Sequence, residues 1–195
     1  MEETIRVFPL TPERWMDLEK LFSPQRVTTG CWCMWFRLKR SQFEAQEGEG
    51  NRLAMKEIVD SGEIPGLIAY VNSESNTNFD KPVGWISVAP REHFPVLDRS
   101  RILKRVDQKQ VWSIVCFFVH KDHRKIGMTR SLLESALVYA KENGAEIVEA
   151  YPVDPKKKKS RDAFLYHGLY SSFVKSGFVE VARRSETRPI MRYYY

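Results

Sequence analysis

Val111-Trp112-Ser113-Ile114-Val115-Cys116-Phe117-Phe118-Val119 is the longest apolar run in the chain, broken only by Ser113. It passes through His120-Lys121-Asp122-His123 into Arg124-Lys125-Ile126-Gly127-Met128-Thr129. The run has the length of a buried strand and is far too short to span a bilayer. Beyond Gly127, the residues Thr129, Leu132, Leu133, Ala136, Leu137 and Ala140 fall at i, i+3, i+4, i+7, i+8 and i+11, the period of an amphipathic helix. Asn143-Gly144 stops it. The stretch therefore reads as a buried strand, a short basic loop and a helix. A helix start presents unpaired N–H groups and the positive end of the dipole, which together hold phosphate. Gly127 lets the backbone approach such a group and the small Thr129 leaves room. His123, Arg124, Lys125 and Arg130 add positive charge.

Other phosphate loops are absent from the sequence. It holds no G-x-x-x-x-G-K-[ST] and no G-x-G-x-x-G after a strand, which argues against a P-loop NTPase and a Rossmann dinucleotide site.

Outward from this centre, residues 4–8 predict a strand. Thr11-Pro12 predicts a helix start with Thr11 as N-cap, and Trp15, Leu18, Leu21 and Phe22 form its apolar face. Residues 23–50 give no clear period, with large apolar groups packed into Gly30-Cys31-Trp32-Cys33-Met34-Trp35-Phe36. A helix is expected from about Arg52 to Asp60, then strands over Leu67–Val71 and Val83–Val88 around a polar turn at 72–81. Residues 90–110 read as an irregular, basic connection. After the central unit come a strand at Ile147–Tyr151, a loop with Lys156–Lys159, a short helix at Leu169–Lys175, and strands at Phe178–Arg183 and Ile190–Tyr194. The order β-α-α-β-β-β-α-β-α-β-β predicts one α/β domain over residues 1–195, a mixed central sheet with helices on both faces.

The 195 residues carry a net charge of +6, which fits a polyanionic small ligand as well as nucleic acid. No helix-turn-helix, zinc-finger or RNP pattern occurs, so a nucleic-acid partner ranks last. Cys31, Cys33 and Cys116 are an odd set, and C-x-C is too close to bridge easily. Reduced thiols and an acidic N-terminus without an apolar core predict a cytoplasmic protein without a membrane partner. No familiar zinc spacing appears, so no metal is expected. Cys116, on an apolar strand, reads as a small hydrophobe before it reads as a nucleophile. Lys156–Lys159 reads as a solvated loop before it reads as a site for an acidic partner or for the 3′-phosphate of a nucleotide.

The loop Arg-x-x-Gly-x-Thr at 124–129 resembles the pyrophosphate loop of the GNAT acetyltransferase superfamily, usually [RQ]-x-x-G-x-[GA]. Phe173-Val174-Lys175-Ser176-Gly177-Phe178 resembles that family's late signature, and the element order agrees along nearly the whole chain. Gly30-Cys31-Trp32-Cys33-Met34, Pro65-Gly66-Leu67, Pro82-Val83-Gly84-Trp85 and Tyr151-Pro152-Val153-Asp154-Pro155 resemble a bacterial branch of it.

The resemblance implies transfer of an acetyl group from acetyl-CoA, as co-substrate, to an amine of a small molecule or a protein. It implies that the backbone of Phe117, Phe118 and Val119 meets the pantetheine arm, and that Arg124, Lys125, Ile126, Gly127, Met128 and Thr129 hold the pyrophosphate. It also places the acceptor cleft near Trp32, Trp35 and Phe36. The sequence departs from the family pattern at three points. Thr129 stands where Gly or Ala is usual, the central strand carries no glutamate base, and Phe173 replaces the usual tyrosine acid. Tyr170, Ser171 and Ser172 are the nearby substitutes for the acid, and Glu92 and His93 for the base. Those departures keep open a non-catalytic acyl-CoA-binding protein on the same fold. The aromatic ending Tyr193-Tyr194-Tyr195 leaves a homodimer open.

Overall fold

A computed structural model describes residues 4–22, 30–71, 81–124, 126–155 and 166–195. The turn expected at 72–80, Lys125 and the lysines 156–159 lie outside the described residues. Seven strands form one sheet: β1 (Ile5–Pro9), β2 (Gly66–Val71), β3 (Lys81–Pro90), β4 (Trp112–Val119), β5 (Ile147–Ala150), β6 (Val179–Arg183) and β7 (Pro189–Tyr194). Their order is β1-β2-β3-β4-β5-β7-β6. Every neighbouring pair is antiparallel except β4 and β5, which run parallel.

Parallel strands need a crossover. It is supplied by α5 (Met128–Glu142), the last in the series α1 (Trp15–Phe22), α2 (Arg40–Ala45), α3 (Glu49–Asp60) and α4 (Pro95–Arg99); α6 (Tyr170–Lys175) follows β5. Alternation along β2 shows how the sheet is sandwiched. Leu67, Ala69 and Val71 join the cluster holding Leu132, Leu133 and Ala136 of α5. Ile68 and Tyr70 join the cluster holding Trp15, Leu18, Leu21 and Phe22 of α1 and Met55 and Val59 of α3. Side chains on a strand point to opposite faces in turn, so a strand buried on both faces reads as a continuous apolar run. Burying each large apolar side chain contributes about 1.5–3 kcal/mol.

The expected strands and the long helix fall within two or three residues of the observed ones. Three expectations change. Thr11 precedes a 3-10 turn at Pro12–Arg14 and makes no side-chain cap bond; its hydroxyl accepts from Arg14 Nη1 at 3.3 Å. The helix read from Arg52 starts three residues earlier, at Glu49. The connection read as irregular holds a 3-10 turn at Arg91–His93 and α4, because Phe94, Leu97 and Leu103 bury against Val115 and Tyr151. Isolated apolar residues in a basic stretch give no readable period, so only packing reveals that connection.

Candidate active site

β4 and β5 pair only through Trp112↔Val148, Ser113↔Glu149 and Ile114↔Ala150. Beyond Ile114, β4 continues to Val119 while β5 ends at Ala150. The sheet therefore opens along one edge of β4. Antiparallel pairing with β3 decides which groups face that gap. His120 donates its backbone N–H to Val83 O at 2.8 Å. Phe118 and Cys116, in step with His120, turn their backbone groups to β3 opposite Trp85 and Ser87. Phe117 and Val119, out of step, turn theirs to the gap. Two contacts agree: the Val115 carbonyl accepts from His167 Nδ1 at 3.0 Å, and the Val119 carbonyl accepts from Arg124 Nε at 3.3 Å.

A groove follows the open edge. Its inner part, about 200 Å³, is lined by Phe117, Phe118, Val119, Tyr166, Gly168 and Ser172. Its outer part, about 370 Å³, shares Val119, Arg124, Thr129 and Ser172 and adds Gly127, Met128, Arg130, Lys175 and Ser176. The outer part ends on the N-terminus of α5. Gly127 is the N-cap, at φ +86° and ψ −1°, a left-handed conformation that suits glycine. A Cβ there would meet no atom within 4 Å, so the space beside this backbone is open. The first internal bonds of the helix run from Arg130 N and Ser131 N to Gly127 O. The amides of Met128 and Thr129 lie ahead of them, at the positive end of the dipole. Arg124, Arg130 and Lys175 ring this mouth. Such a mouth accepts a polyanion, and the gap behind it accepts an extended chain that can pair with strand backbone.

Gly168 closes the inner end. Its φ is +75°, and a Cβ would stand 2.7 Å from Phe173 Cε2 and 3.3 Å from Phe117 Cε2. Beside it His167 is held between the Val115 carbonyl and the ring of Phe36, 5.6 Å away. Burial, with the Arg188 guanidinium nearby, lowers the imidazole pKa to about 4. Burial lowers Arg188 itself to about 10, and its Nη2 donates to the Tyr151 carbonyl at 3.2 Å.

The residues read from the sequence are distributed unevenly. Phe117, Phe118, Val119, Arg124, Gly127, Met128 and Thr129 all line the groove. Ile126 is exposed on the loop between Arg124 and Gly127. The phase of α6 separates the candidate acids. Ser172, Lys175 and Ser176, at i, i+3 and i+4, form its groove face. Ser171 points to solvent, Tyr170 packs under Arg183 at 5.5 Å, and Phe173 is fully buried against Phe117 and Phe178. Glu92 pairs with Arg105 at 3.1 Å and does not line the groove. Burial pushes its carboxyl up, and a backbone amide together with Arg105 more than offsets this and holds it below the usual range. His93 pairs with Glu63 at 2.7 Å in a separate cleft with Arg37.

The aromatic trio is also split. Trp32 is 4% exposed, stacked on Trp15 at 5.9 Å and beside Phe22, so it belongs to the core. Trp35 is half-exposed on Phe43, and Phe36 faces His167. The positive φ of Trp32 and Cys33 turns the chain between them. Cys116 Sγ lies 3.1 Å from Cys33 Sγ, and this contact together with burial raises its pKa well above the usual thiol value. Cys116 therefore stays a thiol and is a poor nucleophile. All three cysteines are free. His167 escaped the sequence reading, since a histidine in a polar stretch carries no periodic signal; only its place before the short helix hinted at it.

The acetyltransferase (GNAT) family profile matches residues 32–168, and the chain belongs to that family. No curated protein matches the sequence. Solved structures resemble it in fold. The NatC complex bound to Gag peptide and CoA matches at TM-score 0.55 and 13% identity, over 100% of this chain and 99% of the other. The PaiA N-acetyltransferase of Thermoplasma acidophilum with coenzyme A matches at 0.52 and 14%, over 98% and 99%. NAA60 of Arabidopsis thaliana with acetyl-CoA matches at 0.52 and 14%, over 98% and 100%. Among the described residues no group of three His, Cys, Asp or Glu could hold a metal, and no helix is long and apolar enough to cross a membrane.

Proposed function

We propose that this protein is an acetyl-CoA-dependent N-acetyltransferase in which an acceptor amine attacks the thioester directly. The observation that carries this reading is the open edge of β4 beyond Ile114, leading without interruption to the N-terminus of α5. The amides of Met128 and Thr129 and the cations Arg124, Arg130 and Lys175 hold the pyrophosphate of CoA. The pantetheine amides pair with Phe117 and Val119 as an added strand would. The thioester then reaches the inner groove, where the Phe117 N–H polarises its carbonyl. A thioester is already activated, so the protein's work is to position it and to take the amine's proton.

The acceptor is a small amine or the amine of a peptide. The fold likeness to a peptide-bound complex supports the second. The motifs at 30–34, 65–67, 82–85 and 151–155 support a bacterial branch of the family, and the three free thiols support a cytoplasmic setting. Tyr194 and Tyr195 are exposed and support a homodimer; a monomeric mass in light scattering excludes it.

Gly127→Glu tests the reading. The new carboxylate enters the space that the pyrophosphate needs, so saturable acetyl-CoA binding by calorimetry is lost while the fold stays cooperative. Wild-type protein that shows no CoA binding overturns the proposal. Release of free CoA in the presence of any amine excludes a purely binding protein.

A further inference from the structure

We infer that Tyr166 is the general acid of the transfer reaction, giving its phenol proton to the CoA sulfur as it leaves. This role rests on the acetyl-CoA reading above. Five residues line the inner part of the groove and not the outer: Phe117, Phe118, Tyr166, Gly168 and Leu169. Tyr166 alone among these five carries a heteroatom in its side chain. Ser172 and Thr129 line both parts, so they stand where the parts join. Arg124 also lines both, and a guanidinium does not give up a proton. Among the described residues, the end of the groove that the thioester reaches therefore offers the proton of a phenol.

Contacts on both sides hold the tyrosine at the gap. The next residue, His167, donates from Nδ1 to the Val115 carbonyl at 3.0 Å, where β4 parts from β5. The Gly168 carbonyl accepts from the Val153 N–H at 2.9 Å, and the Tyr170 N–H donates to the Val153 carbonyl at 2.9 Å. The segment that Tyr166 opens is thus tied to β4 on one side and to the chain after β5 on the other. The ring of Tyr166 lies parallel to that of Phe118, at 6° with 6.4 Å between centroids. Phe118 is itself buried against Phe22. Phe117, whose N–H is the expected polarising group, lines the same space. The carbonyl oxygen and the leaving sulfur are bonded to one carbon, so a group that serves the sulfur has to share that space.

The phenol also suits the leaving group. An alkyl thiol has an ordinary pKa of about 8.5 and a phenol one of about 10, so proton transfer between them is nearly balanced. The aliphatic hydroxyls of Ser172 and Thr129 are far weaker acids. The amine nitrogen attacks the thioester carbonyl carbon and a C–N bond forms. The C–S bond breaks and sulfur leaves with the electron pair. The Tyr166 O–H gives its proton to that sulfur, yielding the CoA thiol and a phenolate. The nitrogen sheds its extra proton to solvent, and the phenolate takes one back from solvent, leaving the amide and the original tyrosine.

Tyr166→Phe is the decisive variant, because it keeps the ring against Phe118 and removes only the O–H. The probes are acetyl-CoA with hydroxylamine, a nucleophile small enough for any acceptor cleft, and thiol release is the readout. The wild type should exceed the uncatalysed rate. Y166F should lower kcat about 100-fold or more, with calorimetric affinity for acetyl-CoA within about twofold of wild type. A pH profile separates an acid from a packing role. Wild-type kcat should fall as the phenol ionises at alkaline pH, because a phenolate has no proton to give, and Y166F should show no such fall. Equal kcat in the variant, the same alkaline fall in both proteins, or a wild-type rate no higher than in buffer overturns the assignment. Titration of bound CoA, followed by thiolate absorbance, needs no acceptor. A phenol that donates to sulfur favours the thiolate, so bound CoA should ionise at lower pH on wild type than on Y166F; equal titrations overturn the assignment. Wild type that fails to bind acetyl-CoA overturns the reading on which this role rests.

Discussion

The two halves of β4 share one strand and serve opposite purposes. From Trp112 to Ile114 it is flanked by β3 and β5. Beneath that half lies a closed polar network. Glu149, 1% exposed, accepts from Arg91 Nη1 at 2.8 Å and from Arg192 Nε at 2.8 Å. Tyr151 donates to Glu149 at 2.7 Å and bonds Ser113 at 2.9 Å. Arg91 also reaches Asp98 at 2.7 Å, and Arg192 reaches Asp107 at 2.6 Å, which draws that carboxyl down to about 2. From Val115 to Val119 the strand is flanked on one side only by β3, and the other side is groove. The comparison teaches that a sheet becomes a binding site where its ladder lapses. The lapse is tolerable because the closed half is locked by buried, satisfied charge.

The strongest test removes the lock. Glu149→Ala leaves Arg91 and Arg192 without their shared buried carboxylate, and should cost about 3–5 kcal/mol in urea unfolding. A loss below about 1 kcal/mol would mean that the network does not hold the closed half.

The open half has a pH signature. The pKa of His167 is about 4 folded against 6.5 unfolded, so the unfolded chain takes up the proton first as pH falls. The corresponding stability is fully present above pH 6.5 and is lost between 6.5 and 4. By linkage it amounts to about 3 kcal/mol. Stability curves at pH 7 and pH 4 should show wild type losing that much more than H167N; parallel losses would break the contrast between the halves.

A smaller effect is expected from Gly168→Ala. The left-handed backbone and the 2.7 Å approach to Phe173 should together cost about 1–3 kcal/mol. The displaced ring should narrow the inner groove and weaken acetyl-CoA binding in calorimetry. Unchanged affinity would place the ligand elsewhere than along Phe117.

The sequence alone determined the strands, the α5 period and the Gly127 N-terminus, because those signals are local. Turn chemistry, capping and apolar spacing are written within a dozen residues of each other. It also determined the part of the outer groove that runs from Arg124 to Thr129, since that loop and helix start are contiguous, while the wall from Ser172, Lys175 and Ser176 comes from α6. The tertiary structure decided everything that depends on phase or on distant partners. The α6 face puts Ser172 on the groove and turns Tyr170 and Ser171 away from it, because a rotation of 100° per residue separates neighbours that look equivalent in sequence. The core claimed Trp32 and left Phe36 by His167. Arg91, which reads as one more cation in a basic connection, became the centre of a buried network. His167 found its hydrogen-bond partner, the Val115 carbonyl, 52 positions away. A hydrogen bond of that kind fixes a tautomer, and no spacing rule within the chain encodes it.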